Sequence, residues 1–236
     1  MFGRFRQRSL ELERLDTGDY TPQEYAKWQR EVRVIHRVFG EMRALRRSLL
    51  SDMHSGAAKR VSILDVGAGS GELLKAVKKW ASGKDTFLVG AEISPDAALS
   101  IKTNAIDGDV HAVQCDALRL PFGDNSFDHV FSTLFLHHLT DEQSVMLLDE
   151  ISRVARERVF VIDLHRSAVA YYFYKIIGRL ILQPFTREDG ALSILKSFRP
   201  RELRDLAVRS GLDDVNVKRS AAYRLVLSGK KGEVQT

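Results

Sequence analysis

A single cysteine, Cys115, stands in a chain of 236 residues, so no intrachain disulfide can form. The start, MFGRFRQRSLELERLD, lacks the apolar core of a secretory signal, and with the lone cysteine this makes the cytoplasm the expected location. Long hydrophobic runs are missing as well. The most apolar stretch, residues 168–182, is about five residues short of a membrane span and carries Lys175 and Arg179, so no transmembrane segment is expected. A helix apolar almost all round at this place is expected in buried core or a pocket roof, not as a membrane-surface anchor. Internal repeats and low-complexity tracts are absent, which excludes an array architecture. Metal-ligand spacing is absent too. No His, Cys or Asp cluster has it, and the consecutive His137 and His138, read as extended, should point apart; no metal is expected.

What is present is an ordinary globular balance, 44% hydrophobic and 28% charged, which disfavours disordered and fibrous classes. The length suits one domain with an appendage. Residues 1–60 hold 13 Lys and Arg against 8 Asp and Glu, which accounts for the whole net charge of +5. Such a face could meet nucleic acid, acidic lipid or an anionic substrate, but scattered arginines on a helix are more often solvated.

From Tyr25 the apolar positions Trp28, Val32, Ile35, Phe39, Met42 and Leu49 fall on one stripe and predict a long amphipathic helix. Thr21 and Pro22 supply its N-cap and first turn, and Glu24 can close a capping box with Thr21. The polar stretch 51–59 reads as a linker. Residues 1–55 are therefore expected to form a helical cap and residues 56–236 the main domain, with 168–197 inserted as a substrate roof. In that domain apolar runs at 61–66, 87–91, 110–114, 127–132 and 159–163 alternate with helical or loop segments, the pattern of an α/β parallel sheet. Runs at 213–218 and 223–228 are too close for a crossover and should pair antiparallel.

The first strand enters Asp65-Val66-Gly67-Ala68-Gly69-Ser70-Gly71, and a helical pattern follows. Glycines there allow positive φ and a close backbone approach to a ligand at the carboxyl edge of the sheet. The spacing differs from a dinucleotide-binding GxGxxG loop, and the acid two residues before the first glycine suits a cation. Glu92 ends the second strand, placed to accept from a ribose diol, and Asp116 ends the third, where it could accept from an adenine amine.

This ordered set resembles the class I S-adenosylmethionine-dependent methyltransferases across residues 60–165. The resemblance implies a Rossmann-like, mostly parallel seven-stranded sheet of order 3-2-1-4-5-7-6 with the last strand antiparallel. It also implies S-adenosylmethionine as cofactor, held by Asp65, Gly67, Ala68, Gly69, Glu92, Ile93, Asp116 and Ser132, with Cys115 and Ala117 flanking the adenine. The run Leu120-Pro121-Phe122 to Phe127-Asp128-His129-Val130 is most similar to methyltransferases of ubiquinone and menaquinone biosynthesis and their natural-product relatives, including those found beside type III polyketide synthases. The similarity extends to Leu15-Asp16, to Thr186-Arg187-Glu188-Asp189-Gly190 and to Ser193.

The fourth strand leads into Leu136-His137-His138 and not into the Asn/Asp-Pro-Pro-Tyr motif of base-methylating enzymes. Either histidine could serve as general base for a hydroxyl, and the resemblance favours His137. That both are structural stays open, since methyl transfer can run by proximity and desolvation. Asp163, His165 and Arg166 follow the fifth strand, where Asp163 or His165 could orient or deprotonate a substrate and Arg166 take an anionic group; a salt bridge among them is as simple. Tyr20, Tyr25 and His36 could reach over the pocket. The expected activity is methyl transfer to a small lipophilic, phenolic or polyketide-like metabolite, O-methylation ahead of C-methylation. Two alternatives are an RNA or protein methyltransferase docking through the basic N-terminal helix, and a non-methylating binding protein or cyclase. Nucleic acid is disfavoured as partner.

Overall fold

The computed structural model describes residues 3–38, 40–55, 60–81, 83–104 and 110–232. Seven strands form one sheet: β1 (Arg60–Val66), β2 (Asp85–Glu92), β3 (Val110–Gln114), β4 (Phe127–Thr133), β5 (Ala155–Leu164), β6 (Leu212–Ser220) and β7 (Arg224–Lys231). Their order is β3-β2-β1-β4-β5-β7-β6, as the resemblance implies; β7 runs antiparallel to both neighbours and the rest are parallel.

Alternation along β1 sends Val61 and Ile63 to one face and Leu64 and Val66 to the other. On the first face α3 (Glu41–Ser55), α4 (Glu72–Trp80) and α5 (Pro95–Asn104) bury Leu45, Leu49, Leu74, Val77 and Ile101. On the second, α6 (Asp141–Val154) and α9 (Pro200–Arg209) bury Leu147, Leu148, Ile151, Leu203 and Leu206. A sheet covered on both faces explains why its strands read as near-continuous apolar runs. Chain direction across the sheet reverses between β1 and β4, so the crevice outside their carboxyl ends is where such a fold binds ligands.

The single long helix expected from Tyr25 onward is two. Pro22–Val38 forms α2 and Glu41–Ser55 forms α3, and between them Gly40 takes φ 84°, a left-handed turn that no α-helix can run through. The apolar period masks the break because both pieces are amphipathic: α3 packs on the sheet, while α2 packs on α8 (Pro184–Lys196). The start of α2 is as expected, with Glu24 N donating to Thr21 Oγ1 at 3.2 Å and Thr21 N donating to Glu24 Oε2 at 2.8 Å. Phe39 and the side chain of His36 lie outside the described residues.

Helix α7 (Ala168–Ile181), expected in buried core or a pocket roof, is buried along one side only and lines the cavity described below through Ala170, Phe173 and Tyr174. Only Ala170, Tyr171 and Gly178 are buried, against Phe5 and α8, and the opposite side faces outward. Helix α8 covers one side of α7, and nothing among the described residues covers the other.

The first residues of the chain are tied into the body. The buried Arg166 guanidinium donates to the carbonyls of Phe5 (3.1 Å) and Ser197 (2.6 Å) and pairs with Glu202, while Arg199 also donates to Phe5 O. The Arg166→Met variant removes the donor to Ser197 O, one of the two donors to Phe5 O and the ion pair with Glu202. It is expected to lose about 2–3 kcal/mol of stability and to be cut by protease within residues 3–17, where the parent chain is resistant; equal resistance would contradict this role.

Candidate active site

Three left-handed glycines shape the turn after β1: Gly67 at φ 75°, Gly69 at 53° and Gly71 at 76°. The amides of Gly67 and Ala68 donate to Ala91 O at 2.9 and 3.2 Å, which folds the turn back onto the end of β2. A Cβ on Gly67 would stand 2.9 Å from the Phe135 ring, so the turn also presses against the segment after β4. Glu92 accepts from Gly69 N and Ile93 N, both at 2.9 Å, and thereby pins the turn.

Asp65 is fully buried, and neither of its carboxylate oxygens has a hydrogen-bond partner among the described residues. Burial, then the nearby Glu92 and Glu41 carboxylates, push its pKa well above the ordinary range. A buried acid left without a donor is costly in the empty protein and is suited to a cationic group arriving from outside. Further along the edge Cys115 N donates to Glu92 O at 3.0 Å, Asp116 Oδ1 accepts from Leu118 N at 2.9 Å, Ala117 is half-buried, and Ile93 is 66% exposed. The structure thus places Asp65, Gly67, Ala68, Gly69, Glu92, Ile93, Cys115, Asp116 and Ala117 along one sheet edge. Ser132 is engaged differently: its buried hydroxyl donates to Val66 O at 2.8 Å and ties β4 to β1.

After β4 the backbone turns sharply at Leu134, with φ 50°, and enters a 3-10 turn over Leu136–His138. Because the pair sits in this turn and not in extended chain, the two rings do not point apart; their centroids are 4.2 Å from each other. Each faces an acid. His137 Nδ1 lies 2.7 Å from Asp163 Oδ1, with its backbone N donating to Asp163 Oδ2 at 3.0 Å, and His138 Nδ1 lies 3.5 Å from Asp16 Oδ1. Burial works to raise the Asp163 pKa, but His137 and the donated hydrogen bonds outweigh it and hold the carboxyl below its usual range. For His138 burial opposes the charged ring, yet Asp16 and Glu13 raise its pKa. An ionised Asp163 can only accept, so His137 donates to it from Nδ1, and Nε2 is the ring nitrogen left to face a ligand.

The pair edges a cavity of about 530 Å³. Trp28, Ile35, Leu134, Leu164, Phe173 and Ile194 give it apolar walls. Its polar edge gathers the outlying positions of the resemblance: Asp189 accepts from the amides of Arg14 (2.9 Å) and Leu15 (3.0 Å), and Ser193 Oγ donates to Glu13 Oε1 at 2.9 Å. Glu13 and Lys196 are participants that sequence reasoning missed, since nothing in the chain distinguishes them from solvated charges. Glu13 approaches His137 and His138 closely enough for the three to share a metal ion. Lys196 Nζ already faces these acids, 3.5 Å from Glu13 and 3.0 Å from Asp16, so the cluster is an ion-pair network.

His165 also lines the cavity, but no acid supports it, and burial followed by Arg219, Arg166 and Arg199 lowers its pKa. Arg166 has its donors on the carbonyls and Glu202 described above, so it is not available to an anionic substrate group. Tyr20 and Tyr25 stack on each other (5.2 Å) and on Phe185 and Trp28, an aromatic pile behind the cavity wall.

Buried Glu41 has its pKa raised to about 7, by desolvation and by Asp163, against the pull of Arg224. Folded protein therefore keeps a proton on Glu41 that the unfolded chain releases near 4.5, and stability falls as pH rises through about 7. In melting curves from about pH 5.5 to about 8.5, the Glu41→Gln variant should gain on the parent chain as pH rises. Parallel curves would contradict the assignment.

Residues 63–158 match the methyltransferase domain family. A demethylmenaquinone methyltransferase of Oceanobacillus iheyensis is 27% identical over 66% of this chain and 71% of its own length. A ubiquinone/menaquinone biosynthesis C-methyltransferase of Idiomarina loihiensis is 30% identical over 53% of this chain and 54% of its own. Among solved structures, the magnesium protoporphyrin IX methyltransferase of Synechocystis PCC 6803 with bound S-adenosylhomocysteine superposes with a TM-score of 0.62 at 16% identity, covering 89% of this chain and 95% of that one, a likeness of fold. The domain match, these relatives and the sheet order agree with the acid-and-glycine edge: residues 63–158 carry a methyltransferase domain, and the chain is an enzyme similar in sequence and fold to the class I S-adenosylmethionine-dependent methyltransferases.

Proposed function

We propose that this enzyme methylates a small lipophilic acceptor carrying a phenolic hydroxyl, on oxygen, with His137 as general base. The observation that carries the reading is the His137–Asp163 pair, set at the edge of an apolar cavity and two residues from the Phe135 ring that abuts the glycine turn. S-adenosylmethionine supplies an electrophilic sulfonium methyl.

On the cofactor side, Asp65 answers the positive charge of the methionine portion, Glu92 accepts from the ribose diol with the lone pairs that Gly69 and Ile93 leave free, and Asp116 accepts from the adenine amine. Cys115, Ala117 and the exposed Ile93 flank the ring. On the acceptor side the apolar walls hold the hydrocarbon part, and His137 Nε2 takes the phenolic proton while Asp163 steadies the imidazolium. Residues 3–17 with α7 and α8 act as the roof that keeps water out, which is supported by their shared contacts, Phe5 on Tyr171 and Ser193 on Glu13.

C-methylation is the second reading, favoured by the names of the two relatives. A phenolate is nucleophilic at ring carbon as well as oxygen, and the same base serves both. Product masses from an assay with S-adenosylmethionine and a panel of alkylated phenols and hydroquinones, followed by proton–carbon correlation, locate the new methyl. Methyl on oxygen supports the proposal, methyl on carbon selects the second reading, and no S-adenosylhomocysteine with any acceptor would overturn both.

Two variants separate the roles. Asp65→Asn replaces the buried acid that lacks a partner with a neutral amide of the same size, so the ligand-free protein should melt no lower than the parent while S-adenosylmethionine affinity by calorimetry falls at least about tenfold; unchanged affinity would remove Asp65 from the site. His137→Gln should lower kcat by about 10²-fold or more with cofactor affinity intact, and full activity would make His137 structural.

A further inference from the structure

The outward side of α7 has a regular composition. Val169, Tyr172, Phe173, Ile176 and Leu180 recur at steps of three and four, share one side of the helix, and are all exposed, Ile176 by 65% and Leu180 by 77%. The helix contains no Asp or Glu; its charged residues are Lys175 and Arg179, both exposed. The exposed Arg4 lies over the Tyr171 ring, as does Lys175, so a third cation sits beside α7 near Lys175.

The stripe also borders the cavity. Phe173 belongs to both, and Val38 at the end of α2 lines the cavity while being exposed itself. An apolar chamber therefore reaches the outside among apolar side chains, next to an apolar helix face with a basic flank. A contiguous apolar patch of this kind marks an interaction surface.

We propose that α7 and the adjoining end of α2 dock on an anionic lipid bilayer, with the stripe at the boundary of headgroups and acyl chains and with Arg4, Lys175 and Arg179 reaching the lipid phosphates. The cavity then opens toward the membrane, and a lipophilic acceptor enters without crossing water. A helix of 14 residues lying flat presents about 21 Å of such a face, and an apolar face combined with basic residues supplies the two attractions that interfacial helices use. No helix among the described residues is long and apolar enough to cross a membrane, so the contact is with its surface. Charge selects lipid over a second copy of the chain: a two-fold pairing through α7 would bring the cations of an acid-free helix face to face.

Sedimentation of the full chain with vesicles tests this without acceptor or turnover, so its failure is separate from failure of the methyl-transfer reading. Binding is expected to phosphatidylcholine vesicles that contain phosphatidylglycerol, to weaken with salt, and to be much weaker on phosphatidylcholine alone. The double variant I176E/L180E should lose at least about tenfold in vesicle binding with its melting temperature and S-adenosylmethionine affinity unchanged, and K175Q/R179Q should lose about fivefold per group. Absence of binding to the anionic vesicles, equal binding to both compositions, or unaltered binding by I176E/L180E would overturn the proposal. A concentration-dependent dimer that I176E/L180E dissolves, with no vesicle binding, would assign the face to a second copy.

Discussion

Asp163 sits fully buried at the end of β5 and accepts three hydrogen bonds, from His137 N at 3.0 Å, from Leu164 N at 2.6 Å and from the His137 ring at 2.7 Å. An acid in that position would ordinarily resist ionisation, and these three donors are what allow it to stay charged. The same contacts hold the sharp turn after β4 against β5, which sets Phe135 on the glycine turn and the histidine pair on the cavity. One buried carboxylate thus fixes the wall between the glycine turn and the cavity, and it fixes which nitrogen of His137 it does not engage.

The buried acids at the carboxyl ends of β1 and β5, with β4 between them, have opposite circumstances. Asp163 is supplied with donors by the protein, whereas Asp65 has none among the described residues. A buried carboxylate left without donors beside one that is fully supplied is the feature on which the proposed role of Asp65 toward a cation rests. That contrast, more than the glycine turn by itself, connects the chain's chemistry to a cationic nucleoside.

Much of this was legible in the sequence because strand ends are local features. Asp65, Glu92 and Asp116 each terminate an apolar run, and a parallel sheet brings such ends to one edge whatever lies between them. The strands were readable for the same reason, down to the close pair β6 and β7. What escaped depends on long-range docking. Glu13 and Lys196 meet only because the N-terminal segment lies along α8, and the break at Gly40 is hidden by an apolar period that continues through it. The exposed face of α7 escaped because composition reports how apolar a helix is, not how many of its sides the rest of the chain can cover. The histidine pair was misjudged on one local feature, a 3-10 turn in place of extended backbone, which brings adjacent rings together instead of separating them.

In the reaction proposed above, His137 takes the acceptor's proton on Nε2 while Asp163 holds the proton on Nδ1. Nitrogen-15 NMR of the imidazoles, with H137Q used to assign the signal, tests this directly. The Nδ1–H tautomer is expected, its Nε2 resonance moving when a lipophilic phenol is added. An Nε2–H tautomer, or a resonance that ignores the phenol while methyl transfer proceeds, would contradict it.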